Sequence, residues 1–306
     1  VKLVTICFAV YNNEGALGIL YRKTVEQIEK HFPGLNFELL FINDGSKDGS
    51  LQELVSLKES TKDDRLKIIS FSRNFGQMAA IVAGWREAKG DAVINMAADL
   101  QDPPEQCMEM IREWEAGSDV VISYRRSHKT SWLNRITSRA FYRALLPTVP
   151  AGGFDFTLLS RPAMDAVNSI KERNSFYQYD ILWVGFKVKF IPYDKLERTI
   201  GKSQYNFLKR LGNFSTAFFN VSYLPLRAMS FIGMAFSIAG FVYAATIVYT
   251  YLMHATPFQG WAPIMILLLI IGGLIMLMLG ILGEYIWRIF DEVKGRPTYL
   301  IQKRWD

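Results

Sequence analysis

The chain has 306 residues, half of them hydrophobic, with a formal net charge of +6, two cysteines and three histidines. That length accommodates one sizeable globular domain plus a smaller element, and with only two cysteines a disulfide framework is not indicated. His31, His128 and His254 lack metal-ligand spacing, and the positive charge comes without a nucleic-acid recognition module, so no nucleic-acid partner is expected.

From the N-terminus, short β-branched runs alternate with helix-length amphipathic segments, the pattern of a parallel sheet covered by helices. Strands are predicted at 3–10, 37–43, 66–72, 92–96 and 120–123, with helices starting from Glu14, Gly49, Gly76 and Pro104. The first run is strand length and meets polar turn residues at once, so it reads as a strand rather than a cleaved signal. Cys7 falls in a predicted buried strand and Cys107 in a predicted helix, which fits a reducing compartment.

Beyond these lie two amphipathic segments. In 132–146, Arg135, Arg139 and Arg143 recur every fourth residue beside Trp132, Leu133, Ile136 and Ala140. The segment 206–227 groups Phe207, Leu208, Leu211, Phe214 and Phe218, with Lys209 and Arg210 opposite. Basic amphipathic helices beside a bilayer lie in its interface and attract anionic headgroups. An ordinary solvated helix packed on the sheet is the alternative for the first.

Residues 228–253 and 255–283 contain no Asp, Glu, Lys or Arg. Each run exceeds the roughly 20 residues needed to cross a hydrocarbon core, so two transmembrane helices are predicted, at about 228–253 and 262–287. The turn between them carries neither Lys nor Arg, whereas Lys202, Lys209, Arg210 and Arg227 precede the pair and Arg288, Lys294 and Arg296 follow it. By the positive-inside rule both the N-terminal domain and the tail are cytoplasmic. The expected division is a cytosolic domain at 1–205, a juxtamembrane segment at 206–227, the hairpin at 228–290 and a cytosolic tail at 291–306. The apolar stretch 297–301 of that tail suits an added strand on a neighbouring copy, and a homo-oligomer is expected.

Ligands of a parallel sheet gather beyond the carboxyl ends of its strands. There the chain places Tyr11-Asn12-Asn13-Glu14, Asp44-Gly45-Ser46, Arg73-Asn74-Phe75-Gly76, Asp99-Leu100-Gln101-Asp102 and Arg125-Arg126. Asp-Gly is first of all a turn signal. The two carboxylates of Asp99 and Asp102, before a Pro-initiated helix, are hard oxygen donors suited to Mg²⁺ or Mn²⁺ bridging nucleotide phosphates.

These segments, with Gly153-Phe154-Asp155-Phe156, Arg198-Thr199-Ile200-Gly201-Lys202-Ser203 and Ser222-Tyr223-Leu224-Pro225-Leu226-Arg227, resemble the successive motifs of family 2 glycosyltransferases with the GT-A fold. The similarity is closest to the polyprenyl-phosphate enzymes of the bactoprenol glucosyltransferase type, related to dolichol-phosphate mannose synthases, and runs through essentially the whole chain. It implies an α/β fold with a mostly parallel sheet and a C-terminal hairpin. Ala9, Tyr11, Glu14, Asp44 and Ser46 would line the nucleoside pocket, with Asn74 and Gly76 near the donor. Asp99 would hold the metal and diphosphate, Asp155 would face the reacting sugar, and Arg198 and Lys202 would clamp phosphate oxygens. Arg125, Arg135, Arg139 and Ser203 are further candidates on the acceptor-phosphate and membrane side.

The implied reaction is inverting transfer of a hexose, glucose from UDP-glucose first, to undecaprenyl phosphate at the cytoplasmic face of a bacterial plasma membrane. A mannosyl or aminoarabinosyl transferase is the near alternative. The family usually reads Asp-x-Asp where this chain has Ala97 and Asp99. Three readings compete: an introduced substitution that inactivates the enzyme, a natural variant using Asp99 with the donor phosphates, and a non-catalytic nucleotide-binding membrane scaffold. Retention of every other motif favours the first. Asn13 and Asn43 stand where acidic residues are frequent, and Thr157 where the family often has a basic one.

Overall fold

The computed structural model of the protein describes residues 2–126, 154, 156–172, 176–196, 224–253 and 262–306. Strand β1 (Leu3–Val10) is buried at all but two positions. A run without a polar face belongs in a sheet covered on both sides, and β1 is central. It lies parallel to β2 (Asn36–Asn43) on one side and to β4 (Ala92–Ala97) on the other. Outward from β2 come β3 (Leu66–Phe71), parallel, and β8 (Ile301–Trp305), antiparallel. Outward from β4 come β6 (Phe156–Ser160), antiparallel, then β5 (Val120–Arg125) and β7 (Val188–Tyr193), which are parallel to one another. The sheet order is β7-β5-β6-β4-β1-β2-β3-β8, a mostly parallel eight-stranded sheet.

Helices α1 (Leu17–His31), α2 (Ser50–Thr61), α3 (Gln77–Glu87) and α4 (Glu105–Glu115) fill the crossovers, as the alternation predicts. Two more, α5 (Arg161–Ser169) and α6 (Tyr177–Trp183), follow β6. Phe8 of β1 stacks on Phe41 of β2 with ring centroids 4.5 Å apart, both fully buried. Truncating either to alanine would cost about 3–5 kcal/mol, the usual result of emptying such a site. Cys7 and Cys107 are both buried free thiols.

The first five strands appear where the periodicity places them, but β6 and β7 were not anticipated. The tail strand expected at 297–301 stands at Ile301–Trp305 and pairs with β3 of the same chain, Ile68 opposite Trp305 and Ile69 opposite Arg304. Its register is decided by a partner strand more than 200 positions away, which no local pattern encodes.

The chain divides into two compact units, Val1–Arg210 with Pro297–Asp306, and Leu211–Arg296. In the second unit, α7 (Leu224–Leu252) and α8 (Ala262–Val293) contain stretches, Leu226–Tyr243 and Ile270–Val293, long and apolar enough to cross a membrane and 6% and 0% buried. The basic segment 132–146 and most of 206–227 lie outside the described residues.

Candidate active site

Because β1 to β4 are mutually parallel, their carboxyl ends share one edge of the sheet. Strands β5 and β7 run the same way, since two antiparallel pairings through β6 restore the direction. Strand β6 therefore starts at this edge, with Phe156 opposite Ser123. One rim thus receives the ends of β1, β2, β3, β4, β5 and β7 and the entry to β6.

Asp44 follows β2 and is 2% exposed. One carboxylate oxygen accepts the Phe75 N–H at 2.6 Å; the other accepts the Gly76 N–H at 2.9 Å and Asn74 Nδ2 at 3.0 Å. Burial pushes this carboxyl above its ordinary value, against which those backbone N–H groups and the Arg73 guanidinium act. Gly45 sits at φ +61°, and a Cβ there would collide with the backbone of Arg73 and Asn74, so only glycine lets the two loops touch. Asp44, expected to bond a base or ribose, is first the residue that shapes the loop after β3.

The loops after β1 and β2 are laced together. Asn12, at φ 54°, accepts the Lys47 N–H at 2.9 Å and donates its own N–H to Ser46 Oγ at 3.1 Å. Glu14 accepts the Gly49 N–H at 3.0 Å. Glu53 of α2 receives Gly15 and Gly18 N–H at 2.6 and 2.9 Å, serving as a remote cap for α1, which has no side-chain cap of its own. Tyr11 stays half-buried beside this lattice, and half-buried Ala9 pairs with Ala97 across β1 and β4.

After β4 the chain turns sharply. Leu100 adopts φ 61°, a conformation that branched side chains avoid and that is often held under strain at functional sites. Half-exposed Asp99 accepts the Gln101 N–H at 3.2 Å. Asp102 does not stand beside it as a second rim carboxylate. It is 2% exposed, accepting the Ala97 N–H at 3.2 Å and the Tyr193 hydroxyl at 2.9 Å. Burial raises its carboxyl above the ordinary value while Lys195 opposes the rise. The Tyr193 phenol is itself raised by burial and then by the Asp102 charge, with Arg125 acting against both.

Leu196, just beyond β7, closes onto the same turn. Its N–H donates to the Gln101 carbonyl at 2.9 Å, and Gln101 Nε2 donates to the Leu196 carbonyl at 3.3 Å.

Among the described residues, no three His, Cys, Asp or Glu side chains group to hold a metal ion. The donor chemistry still fits a hard divalent cation of the magnesium type. Such an ion keeps several waters and takes one or two carboxylates together with substrate phosphates, and Asp99 is the carboxylate at hand.

Of the expected site residues, Ala9, Tyr11, Glu14, Asp44, Ser46, Asn74, Gly76, Asp99 and Arg125 all lie along this one rim. Asp155, Arg135, Arg139, Arg198, Lys202 and Ser203 lie outside the described residues. Tyr193 and Gln101 were not picked out as working residues, nor was Arg73, whose guanidinium lies over the Phe75 ring at 4.2 Å. The positions of Arg73 and Gln101 inside strand-end segments were the available signals; Tyr193 had none.

Residues 5–190 match the family described as Glycosyl transferase family 2. An uncharacterized glycosyltransferase of Bacillus subtilis (strain 168), YkcC, is 38% identical over 98% of this chain and 93% of its own length. The SfII prophage-derived bactoprenol glucosyl transferase of Shigella flexneri is 35% identical over 98% of this chain and 97% of its own. Among solved structures, glucosyl-3-phosphoglycerate synthase from Mycobacterium tuberculosis shows 15% identity and a TM-score of 0.49 over 70% of this chain and 76% of that one, too distant to bear on the chemistry.

Proposed function

Because this chain belongs to Glycosyl transferase family 2 and is a glycosyltransferase, we propose that it moves a hexose, first of all glucose from UDP-glucose, onto undecaprenyl phosphate at the cytoplasmic face of a bacterial plasma membrane. The observation that carries this reading is the Gln101–Leu196 clasp. It ties the chain just ahead of Arg198 to the turn that bears Asp99. The resemblance puts a phosphate-binding Arg198 two residues further along the chain.

The donor would enter along Ala9, Tyr11 and the Arg73–Gly76 loop, with its diphosphate toward Asp99. A bound Mg²⁺ or Mn²⁺ would offset the negative charge of the departing diphosphate. Asp99 would be its protein ligand. A lipid phosphate is already ionised near neutral pH, so no strong general base is required. Arg198 and Lys202 would bring two anions together by matching their charge. Asp155 would orient the sugar for attack from the face opposite the leaving group, inverting the anomeric centre. The Shigella relative's name joins a bactoprenol acceptor to a glucosyl donor, and the two apolar helices supply an anchor for work on such a lipid.

Purified protein in nanodiscs, given undecaprenyl phosphate and labelled UDP-glucose, GDP-mannose or UDP-aminoarabinose, tests this. A glucosylated lipid is expected, and exclusive formation of either other product overturns the glucose assignment. Ala97 favours a second reading, nucleotide binding without turnover. Metal-dependent UDP binding with no lipid product, even after Ala97→Asp, would establish it.

A further inference from the structure

The loop from Ser72 to Gly76 joins β3 to α3, and the C-terminal strand grips both. On the β3 side, β8 completes the ladder, the Ser72 N–H donates to the Leu300 carbonyl at 3.0 Å, and Tyr299 stacks on Phe71 at 5.0 Å with rings 15° apart. On the α3 side, Arg304 forms a two-point ion pair with Glu87 at 2.5 and 2.8 Å. Burial raises the Tyr299 phenol above its ordinary value, and the Arg86 charge of α3 acts against that rise. The contacts continue into the loop: Phe71 meets Phe75 edge to face at 5.8 Å, and the Phe75 N–H is the one Asp44 holds at 2.6 Å.

The Arg304–Glu87 pair sits in the last turn of α3, so the direct hold of this terminal segment on the loop is at its β3 end, through Phe71 and Ser72. We propose that the C-terminal strand is a positioning element for the donor side of the rim. Tyr299, by clamping the end of β3, holds the 72–76 loop in the shape that Asp44 then secures. Asp44 bonds Asn74, Phe75 and Gly76, the α3 end of the loop, and leaves Ser72 at the β3 end to the terminal segment. The chain thereby uses a segment that follows its apolar helices to set the geometry of a site built before them. That part of the inference concerning the donor rests on the glycosyltransferase reading, whereas the clamp itself does not.

The test uses the full chain in nanodiscs, without ligand, and follows amide hydrogen exchange in wild type, Tyr299→Ala, Tyr299→Phe and Arg304→Ala. Exchange across 72–78 is expected to quicken about tenfold in Tyr299→Ala and less in Arg304→Ala, with 37–43 unchanged, because local opening need not involve the core. Tyr299→Phe keeps the ring stack and should stay near wild type. The clamp is overturned if 72–78 exchanges at the wild-type rate while 299–305 opens, which would make β8 an edge cover only. It is equally overturned if 37–43 quickens in parallel, the sign of general destabilisation. A second measurement, UDP affinity by calorimetry, should weaken about five- to tenfold in Tyr299→Ala, a KM effect with kcat nearly kept. If wild type binds no UDP while the exchange pattern holds, the donor assignment falls and the clamp stands.

Discussion

Leu196 and Gln101 hold each other by two hydrogen bonds, one from the Leu196 N–H to the Gln101 carbonyl and one from Gln101 Nε2 back to the Leu196 carbonyl. The end of the seventh strand is thereby fixed to the turn after the fourth. Gln101→Ala removes the side-chain half of the clasp, worth about 1 kcal/mol. The expected result is a roughly five- to tenfold fall in kcat/KM for the lipid acceptor, with UDP affinity held within twofold. Equal losses for both substrates would show that the clasp merely stabilises the fold.

Gly45 occupies a left-handed conformation directly against the Arg73–Asn74 backbone. Gly45→Ala combines an unfavourable φ with a steric clash and should cost about 1–3 kcal/mol. Thermal denaturation measures that cost, and nucleotide titration should show binding reduced by more than the lost stability alone explains. A variant with wild-type Tm and affinity would mean that the two loops part without consequence.

Asp180 in α6 gives a pH signature. Burial, then the negative charge of Glu172, push its carboxyl from the ordinary 3.8 up to about 7. The folded state therefore binds this proton more tightly than the unfolded state. Its contribution to stability is complete below pH 3.8 and disappears as pH rises through 7. Asp180→Asn should flatten that slope, so the variant gains Tm relative to wild type by several degrees between pH 5 and pH 8. Parallel Tm curves across that interval would contradict the assignment. The same helix donates from Tyr177 and Gln178 to the Phe154 carbonyl, so the slope reports on the entry to β6.

Ala97 lies opposite Ala9, and its N–H is held by Asp102. Ala97→Asp would add a second carboxylate two residues before Asp99, within the one-or-two-carboxylate range a magnesium-type ion accepts. If Ala97 is what limits turnover, the variant should exceed wild type by about a hundredfold or more in lipid glycosylation at saturating metal. No gain removes that explanation and favours a site working through Asp99 and the donor phosphates.

Much of the fold was legible because its central strands are buried on both faces and their helices on one, so burial writes itself into periodicity. Strands 3–10, 37–43, 66–72, 92–96 and 120–123 each end within two residues of the observed strand. The rim followed from them, since parallel strands deliver their carboxyl ends to one edge. Strands β7 and β8 were less visible: β7 has two fully buried positions, β8 none, and short half-exposed strands carry little pattern. β6 is buried throughout, but five residues without alternation are ambiguous alone.

The roles of individual carboxylates were less legible still. Asp44, Asp99 and Asp102 all follow strands and look equivalent in one dimension. Asp102 turns inward because Tyr193, 91 residues away, offers it a hydroxyl, and Asp44 because three N–H groups of the next loop converge on it.

Residue order by itself determined the family, the alternation of strand and helix, the two apolar helices and the rim on which polar residues gather. These depend on spacing along the chain and on which side chains avoid water. Only the tertiary structure decided which carboxylate stays half-exposed, which loop each buried one holds, and that the last strand returns to its own sheet. Those outcomes rest on hydrogen-bond partners and ring contacts between segments remote in sequence, and a buried polar group takes whatever partner the fold brings within reach.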